Sequence, residues 1–319
     1  MTRTMPPWVR GLPWKVLRLV ISLVAVLTLT FLMIQLIPGD PVRLALGPDA
    51  PVSLVEERRV LLGLDKPFWE QYLTYWAKTL SGDPGVSLLT QQPVSLLVET
   101  RIGNTVAIVT IALIGTMIFS VLGGLLFGIA THRGRRPWLR FGFNVGSGAA
   151  SAIPDFLLAV GLVFVFAVSL KLLPVAGAAG PASLVLPTLA IALGSASTMM
   201  RVVRSATDVV LDQDYMLTAR AKRLPWRRIY LRHALPNLLT AALTLGGLQL
   251  GAIVTGSIVV ENVFAIPGLG TALVQALITR DYPVVQTTML IFAAAVLVLN
   301  LVVDILLGVI DPRARTARA

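Results

Sequence analysis

The sequence has 319 residues, 55% of them hydrophobic and 13% charged, where a soluble domain carries roughly 25% charged residues. It has no cysteine and only two histidines, His132 and His233, which excludes disulfides, thiol catalysis and thiolate zinc and argues against a histidine-built metal site. The net charge of +11 has to be read from its distribution, because membrane proteins keep positive charge on their cytosolic loops.

A helix needs about 20 largely apolar residues to cross the hydrocarbon core, and six stretches meet or approach that length. The first, 19–37, follows Lys15 and Arg18 like a signal peptide. It is too long for one and lacks a small-x-small cleavage site, so it reads as a retained anchor. Residues 38–104 form the one sizeable extramembrane segment. In it Ser53-Leu-Val-Glu56 predicts a capping box and a short helix to about Leu62, stopped by Gly63. Pro67 suits the first turn of a second helix, whose Trp69, Tyr72, Leu73 and Trp76 share a face. That face fits a membrane interface first, with a docking surface for an outer partner as the alternative. A third short helix is predicted over about 93–102.

The second span is 105–131 and carries no charge. The third, 141–170, holds Asp155 at mid-length beside Pro154. A carboxylate there costs on the order of 2.5–3.5 kcal/mol on insertion scales, and the proline opens local backbone. This predicts either a polar point on a pathway or a packing kink. The fourth span is 184–200, the fifth 238–260 and the sixth 284–310. Gln249 in the fifth is a second pathway candidate. Asp304 in the sixth is expected to bond a neighbouring loop or Arg313. Paired and spaced glycines (123, 124, 128; 146, 148; 246, 247, 251) predict close helix approach.

With both termini in the cytosol, nineteen of the 27 basic residues fall on the inner side and ten of the 16 acids on the outer side. The charge therefore reads as topology rather than nucleic-acid binding, for which no motif is present. No phosphate loop, H-E-x-x-H or G-x-S-x-G motif occurs. No catalytic or metal-binding residue is expected, and energy for uphill transport has to come from another chain.

Residues 217–236, between the fourth and fifth spans, hold six of the 27 basic residues, and His233 beside them. Asp212 and Asp214 are placed to cap a helix from about Tyr215 to Arg223, and Pro225 to start another. On the second, Trp226, Ile229, Tyr230 and His233 line one face. Ala219 and Ala221 leave room for close contact on the first. The physics alone allows a polybasic element on anionic lipid or a docking knob for a cytosolic protein.

This segment resembles the EAA loop of ABC importer permeases. The match to the general pattern is Ala219, Leu235 and Pro236, with Arg223 in place of the family glycine. Thr218-Ala-Arg-Ala-Lys222 followed by Leu231-Arg-His-Ala-Leu235 is similar to the dipeptide/oligopeptide/nickel branch. So are Pro38-Gly-Asp-Pro41, Leu62-Gly-Leu-Asp65, Gly256 to Phe264, Pro267-Gly-Leu-Gly270, Arg280-Asp-Tyr-Pro283 and Asp311-Pro-Arg313.

The resemblance implies an all-α membrane protein of six spans with a type I importer-like bundle. Its parts are a cytosolic N-terminus (1–18), a first span (19–37) and an extracytoplasmic segment (38–104). A permease core (105–310) follows, with a coupling loop at 205–236, and then a cytosolic tail (311–319). The expected role is import of peptides or peptide-like solutes, with nickel complexes, glutathione or haem as alternatives, across a bacterial cytoplasmic membrane. An ion-gradient-driven secondary transporter is the competing class. The chain itself would be non-catalytic and cofactor-free, with ATP and Mg in two partner ATP-binding subunits. A second permease and an extracytoplasmic solute-binding protein would complete the assembly. The coupling residues implied are Tyr215, Ala219, Arg220, Ala221, Arg223, Leu224, Trp226, Leu235 and Pro236. Glu261, Pro267, Gly268 and Gly270 would form an outer loop or gate region.

Overall fold

The computed structural model describes residues 12–35, 40–47, 49–178 and 180–310. Residues 1–11, the Pro38-Gly39 half of the first motif and the 311–319 tail with Arg313 lie outside the described residues. Every regular element among the described residues is helical: α1 (Leu12–Gln35), α2 (Pro41–Leu46), α3 (Val52–Leu62), α4 (Phe68–Leu80), α5 (Val94–Thr131), α6 (Pro137–Ala152), α7 (Asp155–Leu162), α8 (Val185–Leu211), α9 (Asp214–Ala221), α10 (Leu235–Val263), α11 (Leu269–Thr279) and α12 (Tyr282–Ile310). Short 3₁₀ turns (His132–Gly134, Pro181–Leu184) and two π-helical stretches (Val163–Ser169, Arg228–Ala234) join some of them. Five helices are long and apolar enough to cross a membrane, and a sixth crossing exists if the bent pair α6–α7 is one span.

The third span breaks at the proline that the sequence singled out: α6 and the helix from Asp155 to Ser169 meet at 101°. Ile153 is extended (φ −79°, ψ 123°) and Pro154 caps the next helix, as expected of a proline that removes a donor and pushes its predecessor out of α geometry. The short 93–102 helix is not separate, because α5 runs unbroken from Val94. No residue between 94 and 105 breaks the ladder. The Ser53–Glu56 capping box does not form either; α3 starts one residue before Ser53, after Pro51, with no side-chain cap. Gly63 does end α3, in the left-handed region at φ 67°.

α4 lies against α1. Phe31 meets the rings of Phe68, Tyr72 and Tyr75 at 5.2–5.6 Å, and Thr28 Oγ1 lies 2.8 Å from the Tyr72 hydroxyl. The expected aromatic stripe is thus split, with Trp69 and Leu73 facing outward. Burial raises the Tyr75 phenol above its ordinary pKa, against hydrogen bonds from Thr30 and Thr79 that lower it.

The centre of the bundle is α5, α8 and α10, whose Ile108, Ala112, Ala190, Ile191 and Ile253 share one buried cluster. α5 and α8 make the most extensive pairing, and glycine explains its closeness. A Cβ on Gly124 would stand 2.6 Å from Val203 Cβ, and one on Gly128 2.5 Å from Thr207 Cβ. This is small-residue packing, in which apposed backbones gain dispersion contacts that lipid would not supply. Gly123 and Gly246 likewise face Met200 and Met117. Gly146 and Gly251, expected to act in the same way, face open space. α12 packs beside α10 and α1. Lys15 Nζ donates to the Asp304 carbonyl at 3.0 Å and lies 3.8 Å from its carboxylate, so the partner of Asp304 is the first helix rather than a loop.

Candidate functional site

Three clusters hold the residues singled out by the sequence. The first is the elbow at Pro154. Asp155 is the first residue of α7, where the helix N-terminus favours a carboxylate. Its two oxygens lie against α8 and α10: a Cβ built on Gly194 would be 2.9 Å from Oδ1, and one on Gly256 2.9 Å from Oδ2. Three helices therefore converge on one half-buried carboxylate. Among the described residues no cation pairs with Asp155. Gln249 lies seven residues before Gly256, hence on the same face of α10 and about 10 Å along its axis. The structure thus sets Asp155 and Gln249 on one side of α10 without bringing them into contact.

The second cluster is the 212–236 segment. α9 runs over Asp214–Ala221 with Gln213 as its cap and no side-chain cap bond. Asp214 stays in the first turn, while Asp212 turns away to Arg133 at 3.0 Å. The stop after α9 is a Schellman motif. Leu224 N–H donates to Ala219 O (3.3 Å) and Arg223 N–H to Arg220 O (2.9 Å). Arg223 sits in the left-handed region at φ 52°, the conformation for which glycine is the usual choice.

The second helix of the segment does not end before the fifth span but runs on into it. It starts at Trp226, passes through the π-helical stretch Arg228–Ala234 and continues directly into α10. A π turn ends just before Pro236, whose ring in α geometry would press on the carbonyl of Arg232. Ala219 is 5% exposed and packs with Leu211, Met216, Ile229 and Ala234, with Leu224 beside them. It is therefore part of the segment's own core. Tyr215, Leu217, Ala221 and Trp226 are exposed, and Asn237 Nδ2 donates to the Tyr215 hydroxyl at 3.0 Å.

A charge cluster that the sequence reading did not single out lies beside this segment. Arg204, 7% exposed, donates to Thr131 Oγ1 and to Asp208 Oδ2, 3.4 and 3.3 Å away. Its guanidinium lies 5.7 Å from the centre of the Phe143 ring. His132 lies 3.4 Å from both Asp208 and Asp212. The end of α5, the end of α8 and the side of α6 are thereby held together next to α9. An (i, i+4) Arg204–Asp208 pair was legible in the sequence; its burial was not.

The third cluster is at the far end of α10. Glu261 is fully buried, and its Oε2 accepts from Gly270 N–H (2.7 Å) and Thr271 N–H (3.3 Å) at the N-terminus of α11. A Cβ on Gly268 would be 2.2 Å from that oxygen, and one on Gly270 2.6 Å from Ile258 Cα. The Gly-Leu-Gly spacing is therefore set by close packing around a carboxylate. Thr105 Oγ1 accepts from Leu269 N–H at 2.8 Å, and Asn104 Nδ2 donates to Pro267 O at 2.9 Å, tying the turn to α5. No group of three or more potential metal ligands occurs among the described residues.

Residues 120–316 match the family described as binding-protein-dependent transport system inner membrane component, and residues 9–109 match its N-terminal membrane component. The glutathione transport system permease protein GsiC of Salmonella paratyphi A is 39% identical over 302 residues, covering 94% of this chain and 97% of its own. The GsiC protein of Escherichia coli K12 is 37% identical with the same coverage. Among solved structures, the inward-facing MetNI methionine ABC transporter superposes with a TM-score of 0.57 at 19% identity, over 68% of this chain and 97% of its own. That likeness concerns the fold.

Proposed function

The chain belongs to the family of binding-protein-dependent transport system inner membrane components and is a multi-pass ABC importer permease of the bacterial inner membrane, and on that premise we propose that it imports glutathione or a similarly small peptide. The proposal rests on the full-length likeness to glutathione permeases and, in the structure, on the Asp155 elbow. A short peptide carries an ammonium group, and Asp155 is a carboxylate without a cation of its own at the meeting point of α7, α8 and α10. In our reading that ammonium supplies the missing charge in passage. Gln249 offers an amide further along the same face. The chain contributes no chemistry. Two ATP-binding partner subunits carry ATP and Mg, a second permease completes the pathway, and an extracytoplasmic binding protein delivers the solute.

Coupling then enters through the 214–227 segment, by its exposed Tyr215, Leu217, Ala221 and Trp226, with Arg220, Arg223 and Leu224 shaping the stop. The π-to-α continuation through Leu235 and Pro236 carries the displacement into α10. The 261–271 joint, with Glu261, Pro267, Gly268 and Gly270, forms the margin of the opposite gate.

The test is ATP-dependent uptake of labelled glutathione by vesicles holding the reconstituted complex. Asp155→Asn is expected to lower uptake about tenfold, the order of one lost charge-assisted bond, while basal ATP hydrolysis stays intact. Unchanged uptake and substrate range in both Asp155→Asn and Asp155→Leu would return Asp155 to a packing role. Uptake of dipeptides but not of glutathione would overturn the substrate.

A further inference from the structure

A cavity of about 870 Å³ lies away from the elbow, where α3 and α4 meet α1 and the start of α12, with the 82–91 loop and the first turns of α5 completing its wall. Its two halves differ in chemistry. Phe31 of α1 and Leu290 and Ile291 of α12 give it hydrocarbon, while Arg58, Lys66 and Lys78 bring three cations to the extramembrane half. Against these stand Asp83, whose Oδ1 accepts from Gly85 N–H at 3.0 Å, and Glu99.

Two polar atoms of the wall are buried without a hydrogen-bond partner among the described residues, Arg58 Nε and the Tyr282 hydroxyl. Tyr282 is only 6% exposed. The other end of Arg58 is held, since Nη1 donates to Gln91 Oε1. Both unmet atoms can donate, and a buried donor left alone costs stability. The complement is an acceptor-only, anionic group such as a phosphate. The space far exceeds a free phosphate, and its apolar half opens from two membrane-spanning helices. Phosphate joined to hydrocarbon is the chemistry of a phospholipid.

We propose that this cavity is a phospholipid site. The headgroup phosphate is held by Arg58, Lys66 and Lys78 with the Tyr282 hydroxyl, and an acyl chain lies along Phe31, Leu290 and Ile291. The lipid thereby bonds α3 and α4 to α1 and α12. This does not depend on the solute carried.

The test uses the purified full-length chain, exchanged extensively into detergent and followed by thermal unfolding and native mass spectrometry. Phosphatidylglycerol, inorganic phosphate and a diacylglycerol with the same acyl chains are added separately. Phosphatidylglycerol is expected to give a saturable rise in melting temperature and one retained adduct, with neither control reproducing them. Arg58→Gln and Lys78→Gln should each raise the half-saturating concentration about tenfold. Tyr282→Phe keeps the ring and should also weaken binding, which gives a reading even if Arg58→Gln folds poorly. An equal rise with inorganic phosphate would make the site one for a free anion. An equal rise with diacylglycerol would make it a plain apolar groove, and variants that titrate like the wild type would remove the site altogether.

Discussion

Arg223 holds a backbone conformation that its Cβ disfavours by about 1–2 kcal/mol. The Schellman bonds of Leu224 and Arg223 keep it there. Glycine at this position should fit without strain. Arg223→Gly is therefore expected to fold with a melting temperature equal to or above that of the wild type, while Arg223→Val, β-branched, should lower stability by about 1 kcal/mol or more. Thermal unfolding of the purified variants measures both. The need for positive φ was legible in the sequence, because Arg223 aligns with a family glycine followed by Leu224-Pro225. Asp155 was also legible as an acid at mid-length of an apolar span. Its setting between Gly194 and Gly256 was not, since those glycines lie 39 and 101 residues further along and gain meaning only when three helices converge. Gly256→Ala should displace the Asp155 carboxylate and lower uptake even though no charge is removed; normal uptake would separate the carboxylate's position from its role.

At the scale of elements, helix existence was written in the apolar runs, and the breaks were less so. Proline marked the α6–α7 elbow by its position, but a sequence does not distinguish a mild kink from a bend of 101°. The capping box at Ser53 failed because Pro51 starts α3 sooner. The α5–α8 pair gives a clear prediction: Gly128→Leu would drive a side chain into Thr207 and, by overpacking, cost about 1–3 kcal/mol. Gly146→Leu, facing open space, should leave the isolated chain's folding unchanged. Folded yield and melting temperature in detergent compare the two. For the 212–236 segment, Ala219→Glu is expected to disrupt its small core and destabilise the chain itself. Leu217→Glu and Trp226→Ala, both exposed, are expected to keep the fold and to reduce co-purification of the ATPase subunits. Undiminished co-purification in both would move the docking surface elsewhere.

At the scale of the whole molecule, composition pointed to a membrane protein, whose backbone is satisfied in lipid only by helices or a closed barrel, and the long apolar runs selected helices. What composition could not show was which ends are fastened. Three ties now stand out: Glu261 on the α11 N-terminus, the Arg204–Asp208–His132 cluster beside α9, and Asp281, whose carboxylate accepts from the Ser87 hydroxyl and the Leu88 N–H to anchor the 82–91 loop to α12. In the function proposed above, the energy for import comes from partner ATP-binding subunits. Vesicles holding the chain alone should therefore accumulate no solute under any imposed ion gradient; accumulation there would return the secondary transporter to consideration.

The helix that begins at Trp226 and ends at Val263 has no loop anywhere along it. At about 1.5 Å per residue it is a strut of roughly 55 Å. A strut has no backlash: a shift imposed at its first turn cannot be taken up by slack chain before it reaches Glu261 and the turn that Glu261 clasps. The two ends of the permease would keep time with each other through a single piece of backbone. Among the described residues of that strut, the π-helical stretch Arg228–Ala234 and Pro236 shortly after it are where the regular α ladder is interrupted.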